Sequence, residues 1–101
     1  MTNSYVLTVD AHRDLEEISA HTLERWGARQ RERYLTQLFE GFDALADNPL
    51  IGKVRDDVHA GARSFPIARH VVFYAHQGER LTILRVLHYR RDPDRAFERS
   101  K

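Results

Sequence analysis

The chain has 101 residues, of which 42% are hydrophobic and 31% charged, and this length and balance predict one domain spanning residues 1–101. It contains no cysteine, which excludes disulfides, thiolate zinc sites and a cysteine nucleophile. The first residues, MTNSYV, lack the basic and apolar regions of a signal peptide, and no apolar run is long enough to span a bilayer. We therefore expect a cytoplasmic protein that does not associate with membranes.

The net charge of +1 hides an asymmetry between the two halves of the chain. Residues 1–50 carry 5 basic and 9 acidic side chains, whereas residues 51–101 carry 11 basic and 6 acidic ones. Lysine occurs only at Lys53 and Lys101, so the basic side chains are almost all arginine. The planar guanidinium pairs bidentately with carboxylates and phosphates. The basic half is therefore predicted to bind an acidic protein segment or a phosphate backbone.

The first half of the chain predicts a strand followed by two helices. A β-branched run at 5–9 is typical of a strand, and Asp10 after it suits a helix N-cap. Apolar residues then recur at helical spacing in two stretches separated by Gly27, and Asn48-Pro49 ends the second. The link is short enough to make the helices an antiparallel hairpin, which Trp26 is expected to anchor to the sheet.

The second half predicts a meander of strands. Residues 50–60 are read as a loop with at most a weak strand, and strand patterns follow at 62–65, 69–76 and 80–88. Gln77-Gly78 marks the last hairpin turn, and Asp92-Pro93 has the N-cap and N1 signature of a helix, so that the residues after it form either a short terminal helix or a frayed tail. The fold class is therefore α+β, in the order β-α-α-β-β-β, with the helix hairpin packed on a small, mostly antiparallel sheet.

Alternation along the last two strands divides their side chains between two faces. With a hairpin loop of two or four residues, even positions of the first strand share a face with odd positions of the second. One face collects apolar residues and is assigned to the helix hairpin: Val71, Phe73, Ala75, Thr82, Leu84 and Val86. The other is too apolar to face solvent and needs either Phe97 of the C-terminal segment or a partner chain to cover it: His70, Val72, Tyr74, Leu81, Ile83, Arg85 and Leu87.

Across residues 5 to 92 the pattern resembles the RelE/ParE toxins of bacterial type II toxin–antitoxin systems. The resemblance begins in the first helix, at Ala11, Asp14-Leu15, Ile18 and Trp26-Gly27. It continues through Leu45, Asn48-Pro49 and Gly52 at the exit of the second helix, and through Gly61 and Arg63. It ends in the strand sequences HVVFY at 70–74 and ILRVLH at 83–88. Trp26-Gly27 and Arg85-Val86-Leu87-His88 are most similar to the ParE-like branch.

This resemblance implies a small cytoplasmic toxin that a cognate antitoxin neutralises. For ParE-like members the implied target is DNA gyrase, inhibited by direct binding, and for RelE-like members it is mRNA, cut on the ribosome. A degenerate toxin that only binds its antitoxin is the third alternative. Since function resides in the site rather than in the fold, the resemblance leaves these three open.

The ribonuclease hypothesis requires a base, an acid and cations around a phosphate, without a metal. Asp56 or Asp57 would be the base, His88 the acid, and Arg63, Arg85 and Arg90 the clamp. The alternation places Arg85 and His88 on opposite faces of one strand unless a bulge intervenes. A net charge of +1 with almost no lysine also differs from the basic groove that RNA binding requires. These two observations favour the non-catalytic reading, in which no catalytic residue is expected.

Under that reading the sequence predicts two contact surfaces and no cofactor. The antitoxin, through an acidic or amphipathic C-terminal segment, is predicted to lie across His70, Val72, Tyr74, Leu81, Ile83 and Arg85. Tyr89, Arg90 and Arg91 follow the last strand and are predicted to contact the target. The six histidines have no metal-site spacing, and we expect no metal and no sequence-specific DNA binding by this chain alone.

Overall fold

The computed structural model describes residues 4–99. Residues 1–3, at which the expectation of no signal peptide begins, and residues 100–101 lie outside the described range. The predicted order of elements is confirmed, with one additional two-residue strand inside the predicted loop. The elements are β1 (Tyr5–Leu7), α1 (Val9–Trp26), α2 (Ala28–Asp47), β2 (Lys53–Val54), β3 (Ala62–Ile67), β4 (His70–Gln77), β5 (Arg80–His88) and α3 (Pro93–Arg99).

The five strands form one sheet in the order β1-β5-β4-β3-β2. β1 is parallel to β5, with Tyr5 opposite Leu81, and the other neighbours are antiparallel. The first strand of the chain is therefore joined to the last one across a sequence separation of more than seventy residues. β5 lies inside the sheet, and β1 and β2 form its two edges.

Local side chains determine where the helix hairpin begins and turns. The N-cap of α1 is Thr8, not Asp10, because the Thr8 hydroxyl accepts a hydrogen bond from the Ala11 N–H at 3.0 Å. Gly27 ends α1 and precedes α2 at φ 90°, a backbone angle that favours glycine. The predicted link between two antiparallel helices is thus a single residue.

The sheet packs on the helices with the face for which we had predicted the C-terminal segment or a partner chain as cover. Val72, Tyr74, Leu81 and Ile83 are at most 1% exposed and share a core with side chains of both helices. The assignment of Phe73 and Leu84 to that side is wrong, since they belong to the second cluster, with Leu87, under α3. The prediction failed because both faces are apolar, so that counting apolar residues could not separate them.

The opposite face of the sheet is covered by the chain's own C-terminal helix. Ala96 and Phe97 are 1% and 6% exposed and pack against Phe73 and Leu87. The rings of Phe97 and Phe73 meet edge to face with centroids 5.3 Å apart. Phe97 therefore covers a sheet face, as one of the two alternatives predicted. The face that it covers is that of Phe73, not the face of Val72 and Tyr74 for which it was predicted.

A β-bulge changes the phase of the alternation halfway along β5. Near the turn, Tyr74 lies opposite Ile83, so that even positions of β4 lie opposite odd positions of β5, as predicted. The register shifts between Phe73 and Tyr74, so that Phe73 lies opposite Arg85. Leu84 is therefore the extra residue, and beyond it even positions of β4 lie opposite even positions of β5.

Candidate functional site

The bulge in β5 is held by two polar side chains from the start of the helix hairpin. The Thr8 hydroxyl donates to the Leu84 carbonyl at 2.8 Å. The Val86 N–H donates to Asp14 Oδ2 at 2.9 Å. Backbone groups that the irregular ladder leaves over thus find partners within the protein. These contacts fix the side chain that lies between them, that of Arg85.

Arg85 forms a buried ion pair with Asp14. Its Nε and Nη2 donate to the two carboxylate oxygens of Asp14 at 2.8 and 2.9 Å, and its Nη1 donates to the Ala96 carbonyl at 2.9 Å. Arg85 and Asp14 are only 8% and 5% exposed. The hydrogen bonds that Arg85 donates to Asp14 raise the pKa of Arg85, against the opposing effect of burial. Arg85 thus connects α1, β5 and α3, and each of its three guanidinium nitrogens donates a hydrogen bond within the protein.

The candidate ribonuclease residues do not share one site. Arg63 donates to the Gly52 carbonyl at 2.8 Å, beside β2. His88 lies at the far end of β5, where its Nδ1 accepts from the Arg90 N–H at 3.2 Å. The bulge lies at Leu84, before Arg85, and the pairing from Arg85 to His88 has no further shift, so these two residues stay on opposite faces of β5. The two side chains also line different cavities, that of Arg85 being shared with His59 and Phe97.

The two candidate bases are turn residues. Asp56 Oδ1 accepts from the Gly61 N–H at 2.8 Å, and Asp57 accepts two hydrogen bonds from Arg55 at 3.1 Å. The hydrogen bond from Arg55 is the main reason that the pKa of Asp57 lies below its usual value. Both carboxylates therefore serve the loop between β2 and β3.

The three predicted target-contacting residues form an exposed basic tip after β5. Tyr89 is 56% exposed, and Arg90 and Arg91 are exposed as well. The Arg90 guanidinium lies 5.4 Å above the Tyr89 ring and donates from Nε to its hydroxyl at 2.9 Å. The tip consists of Tyr89, Arg90 and Arg91 and offers an aromatic ring with two cations to a partner.

The residues predicted to bind the antitoxin are mostly covered by the helices. Val72, Tyr74, Leu81, Ile83 and Arg85 are buried, and His70 is half-buried. In this structure they offer a partner almost no surface.

The sequence analysis missed an apolar groove between the two helices. Leu23 and Phe39 are 41% and 37% exposed, and with Leu35 and with Leu7 of the edge strand β1 they line a cavity of about 490 Å³. His12, Glu16 and Arg31 line it as well. A signal for it was present, because apolar positions such as Leu23 widen the helical stripe beyond what one sheet face can cover.

A family profile, described as the ParE toxin of type II toxin–antitoxin system, parDE, matches residues 5–93. The chain belongs to the ParE toxin family. The predicted ParE-like branch of the RelE/ParE superfamily, and the predicted role as the toxin of a type II system, are confirmed by this match. The profile ends where α3 begins, so the helix that covers the second sheet face lies almost wholly beyond it.

Several ParE toxins are similar over most of their length. ParE1 of Mycobacterium tuberculosis is 41% identical over 96 residues, which cover 94% of this chain and 98% of that one. ParE1 of Caulobacter vibrioides is 36% identical, covering 83% and 86%. ParE of Escherichia coli is 32% identical, covering 88% and 87%.

A solved structure has the same fold as this ParE family member. It is a chain of the chromosomal ParDE TA system from P. aeruginosa, with a TM-score of 0.73 over 86% of this chain and 96% of that one. The two sequences are 20% identical, so the likeness concerns the architecture.

Residues 4–99 contain neither a metal-ligand cluster nor a membrane-spanning helix. No group of three or more His, Asp or Glu side chains within this range is arranged to hold a metal ion. None of the helices in the same range combines the length and the apolar character needed to cross a bilayer.

Proposed function

We propose that this ParE-family toxin acts in the cytoplasm by binding DNA gyrase directly and without catalysis, and that a cognate antitoxin neutralises it. The buried pairing of Arg85 with Asp14 carries the non-catalytic part of the proposal. A phosphate clamp needs a guanidinium that can reach the phosphate, and this one has its three nitrogens bonded inside the protein.

The basic tip supports direct contact with a protein target. Interface hot spots are enriched in Tyr and Arg, and Tyr89, Arg90 and Arg91 stand together at the end of β5 with exposed side chains. The tip is continuous with the rigid sheet, which fixes its position relative to the rest of the toxin. We therefore assign the target contact to this tip, as the sequence had predicted.

The groove between α1 and α2 supports an antitoxin segment of amphipathic character. A helix lays its apolar residues into a hydrophobic groove of this kind at intervals of three and four residues. Leu23 and Phe39 would meet the apolar side of such a segment, and Arg31 at the groove would meet an acidic residue. This site replaces the sheet face that the sequence analysis had assigned to the antitoxin.

The proposal is tested by supercoiling of relaxed plasmid with purified gyrase and purified toxin. We expect inhibition by the wild type and a loss of at least roughly tenfold in potency for Arg90→Ala/Arg91→Ala, since hot-spot truncations each cost about 1–2 kcal/mol or more. The matched control is Arg29→Ala/Arg33→Ala, which removes two exposed arginines from α2. The control should inhibit like the wild type.

Three results would contradict parts of the proposal. Unchanged supercoiling at every toxin concentration would exclude gyrase as the target. Fragmented transcripts after induction, lost in His88→Ala, would establish the ribonuclease alternative. Normal growth of cells that express the toxin without antitoxin would identify the degenerate toxin.

A further inference from the structure

Beside the basic tip, between the helix hairpin and the end of the sheet, lies a further cavity, whose lining residue His88 contacts the Tyr89 ring. Its volume is about 520 Å³, within the range of small-molecule sites. The wall on the helix side carries Arg25, Trp26, Gln30 and Gln37, and the sheet side carries Arg69 with His70 and His88. We refer to it as the hairpin cleft.

The lining of the hairpin cleft is rich in donors and contains no carboxylate. Its eleven residues include the two arginines Arg25 and Arg69 and three histidines, but no Asp or Glu, although the chain has 15 acidic residues. Glu17 and Asp14 line only a smaller adjoining recess of about 270 Å³, and Asp14 is bonded to Arg85. Such a lining attracts an anion.

Hydrogen bonds hold the sheet side of the cleft in one arrangement. The Tyr34 hydroxyl accepts the Arg69 N–H at 3.2 Å and bonds to His70 Nδ1. It thereby fixes the β3–β4 turn, in which Ala68 has a φ of 54°, a left-handed conformation uncommon for a residue with a side chain. Burial lowers the pKa of His70 to about 4, so that at neutral pH its ring is neutral.

The helix side of the cleft offers a stacking surface. Trp26 is 54% exposed rather than anchored in the core, and the Arg25 guanidinium lies 5.4 Å from its ring centroid. An exposed aromatic ring beside arginine is the usual platform for a nucleobase. Gln30 and Gln37 in the same wall carry amides, which donate to and accept from base edges.

We propose that the hairpin cleft binds a nucleotide, with the base stacked on Trp26 and the phosphate held by Arg25 and Arg69. Ring, amides and cations in one cavity favour this ligand over an acidic peptide, which would use the cations alone. The phosphate could belong to a free mononucleotide or to the end of a single strand, since both present the same chemistry. The proposal is independent of the gyrase contact.

Trp26 makes the proposal directly measurable because it is the only tryptophan in the chain. We expect AMP or GMP to change the tryptophan fluorescence saturably, with inorganic phosphate and adenosine each binding at least roughly tenfold more weakly. Arg69→Gln and Arg25→Gln should each weaken AMP binding by roughly tenfold or more. Arg13→Gln, an exposed arginine of α1 outside the cleft lining, should bind AMP like the wild type.

Further binding measurements distinguish a free nucleotide from the end of a single strand and can contradict the proposal. Tighter binding of a 5′-phosphorylated oligonucleotide than of AMP would assign the site to single strands, and equal binding would assign it to free nucleotides. Circular dichroism melting confirms that each variant is folded, and the two cleft arginines provide two independent variants. No saturable change up to about 5 mM of any nucleotide, an equal loss in Arg13→Gln, or equal binding of a glutamate-rich peptide would overturn it.

Discussion

Asp14 and Arg85 are joined by two hydrogen bonds of 2.8 and 2.9 Å, across 71 positions of sequence, in the interior of the protein. Breaking a buried pair by removing one partner leaves the other charge unpaired, which costs far more than the pair itself contributes.

We therefore expect Asp14→Ala to lower the free energy of unfolding by about 3–5 kcal/mol, and the loss of the Val86 N–H acceptor adds to it. Urea unfolding followed by circular dichroism measures the change. Glu40→Ala, an exposed acid on α2, should remain within about 0.5 kcal/mol of the wild type. A change below about 1 kcal/mol in Asp14→Ala would mean that Arg85 finds another partner or water.

Tyr74 links the core to the chain around β2 through its hydroxyl. The hydroxyl donates to the Pro49 carbonyl at 2.8 Å and accepts the Gly52 N–H at 2.9 Å. Tyr74→Phe should destabilise the protein by about 1–3 kcal/mol, because both backbone groups lose their partner. Tyr89→Phe, whose hydroxyl lies at the surface, serves as the control in the same urea titration. Equal effects of the two substitutions would contradict the buried role.

Gly52 faces Tyr74 so closely that no side chain fits. A Cβ at this position would lie 2.4 Å from the Tyr74 hydroxyl oxygen and 2.9 Å from the Ser64 carbonyl oxygen. Gly52→Ala should therefore cost about 1–3 kcal/mol, as overpacking does, whereas Gly61→Ala meets no atom within 4 Å and is strained only by its φ of 80°. Hydrogen exchange should show faster opening of residues 49–54 in Gly52→Ala. Unchanged protection there would refute the predicted clash.

Stability should fall between about pH 6.5 and pH 4 because of His70. Burial, followed by the charge of His88, lowers the pKa of His70 in the folded protein to about 4 from 6.5. In this window the unfolded chain binds a proton that the folded protein does not, so stability is full above pH 6.5 and decreases as the pH falls towards 4. Since the ring is only half-buried, we expect a loss on the order of 1–2 kcal/mol.

The comparison of His70→Gln with wild type isolates this contribution from that of the carboxylates. The difference between the urea midpoints at pH 7 and pH 4.5 should be larger in the wild type than in His70→Gln, because only the wild type carries the titrating ring. His76→Gln, at the exposed end of β4, should retain the wild-type difference. An identical pH dependence in His70→Gln would remove His70 from the explanation.

The groove between α1 and α2, proposed as the antitoxin site, is tested by placing charge on its exposed apolar residues. Leu23→Glu/Phe39→Glu should weaken antitoxin binding by about 2–4 kcal/mol, since buried apolar anchors carry most interface energy, and should leave the fold intact. Leu50→Glu/Ile51→Glu is the matched control, because these two residues are 70% and 54% exposed near the β2 edge. Calorimetry with the purified antitoxin measures the binding free energy of both double variants. A larger loss of affinity in the control would place the antitoxin contact at the β2 edge.

The sequence was sufficient for the order of elements because each one carries a local signal. Helical periodicity, Gly27 and Asn48-Pro49 delimit the hairpin, and the strand at 80–88 was predicted with its observed bounds. The terminal helix was predicted from Asp92-Pro93, and Asp92 indeed accepts the Asp94 N–H at 3.0 Å. Such signals act within a few residues and need no knowledge of the tertiary structure.

The site could not be predicted in the same way because it depends on long-range pairing. The sequence placed Arg85 on a sheet face that the C-terminal segment or a partner would cover, whereas its charge is met by Asp14 from α1. A usable signal existed: Asp14 falls between Ala11 and Ile18 on the buried stripe of α1, and an acid in that position requires a cation. The bulge at Leu84 has no comparable local signal.

The position of β5 has a consequence for the time course of synthesis. The strand that separates β1 from β4 is the last strand of the chain to be made, and β1 has no strand partner in the described chain except β5. Until residues 80–88 have emerged, the helices lack one of the strands against which they pack. Such non-local contacts also slow folding. The native sheet thus forms only after residues 80–88 have been synthesised, so that the toxin becomes native later than its helices are made.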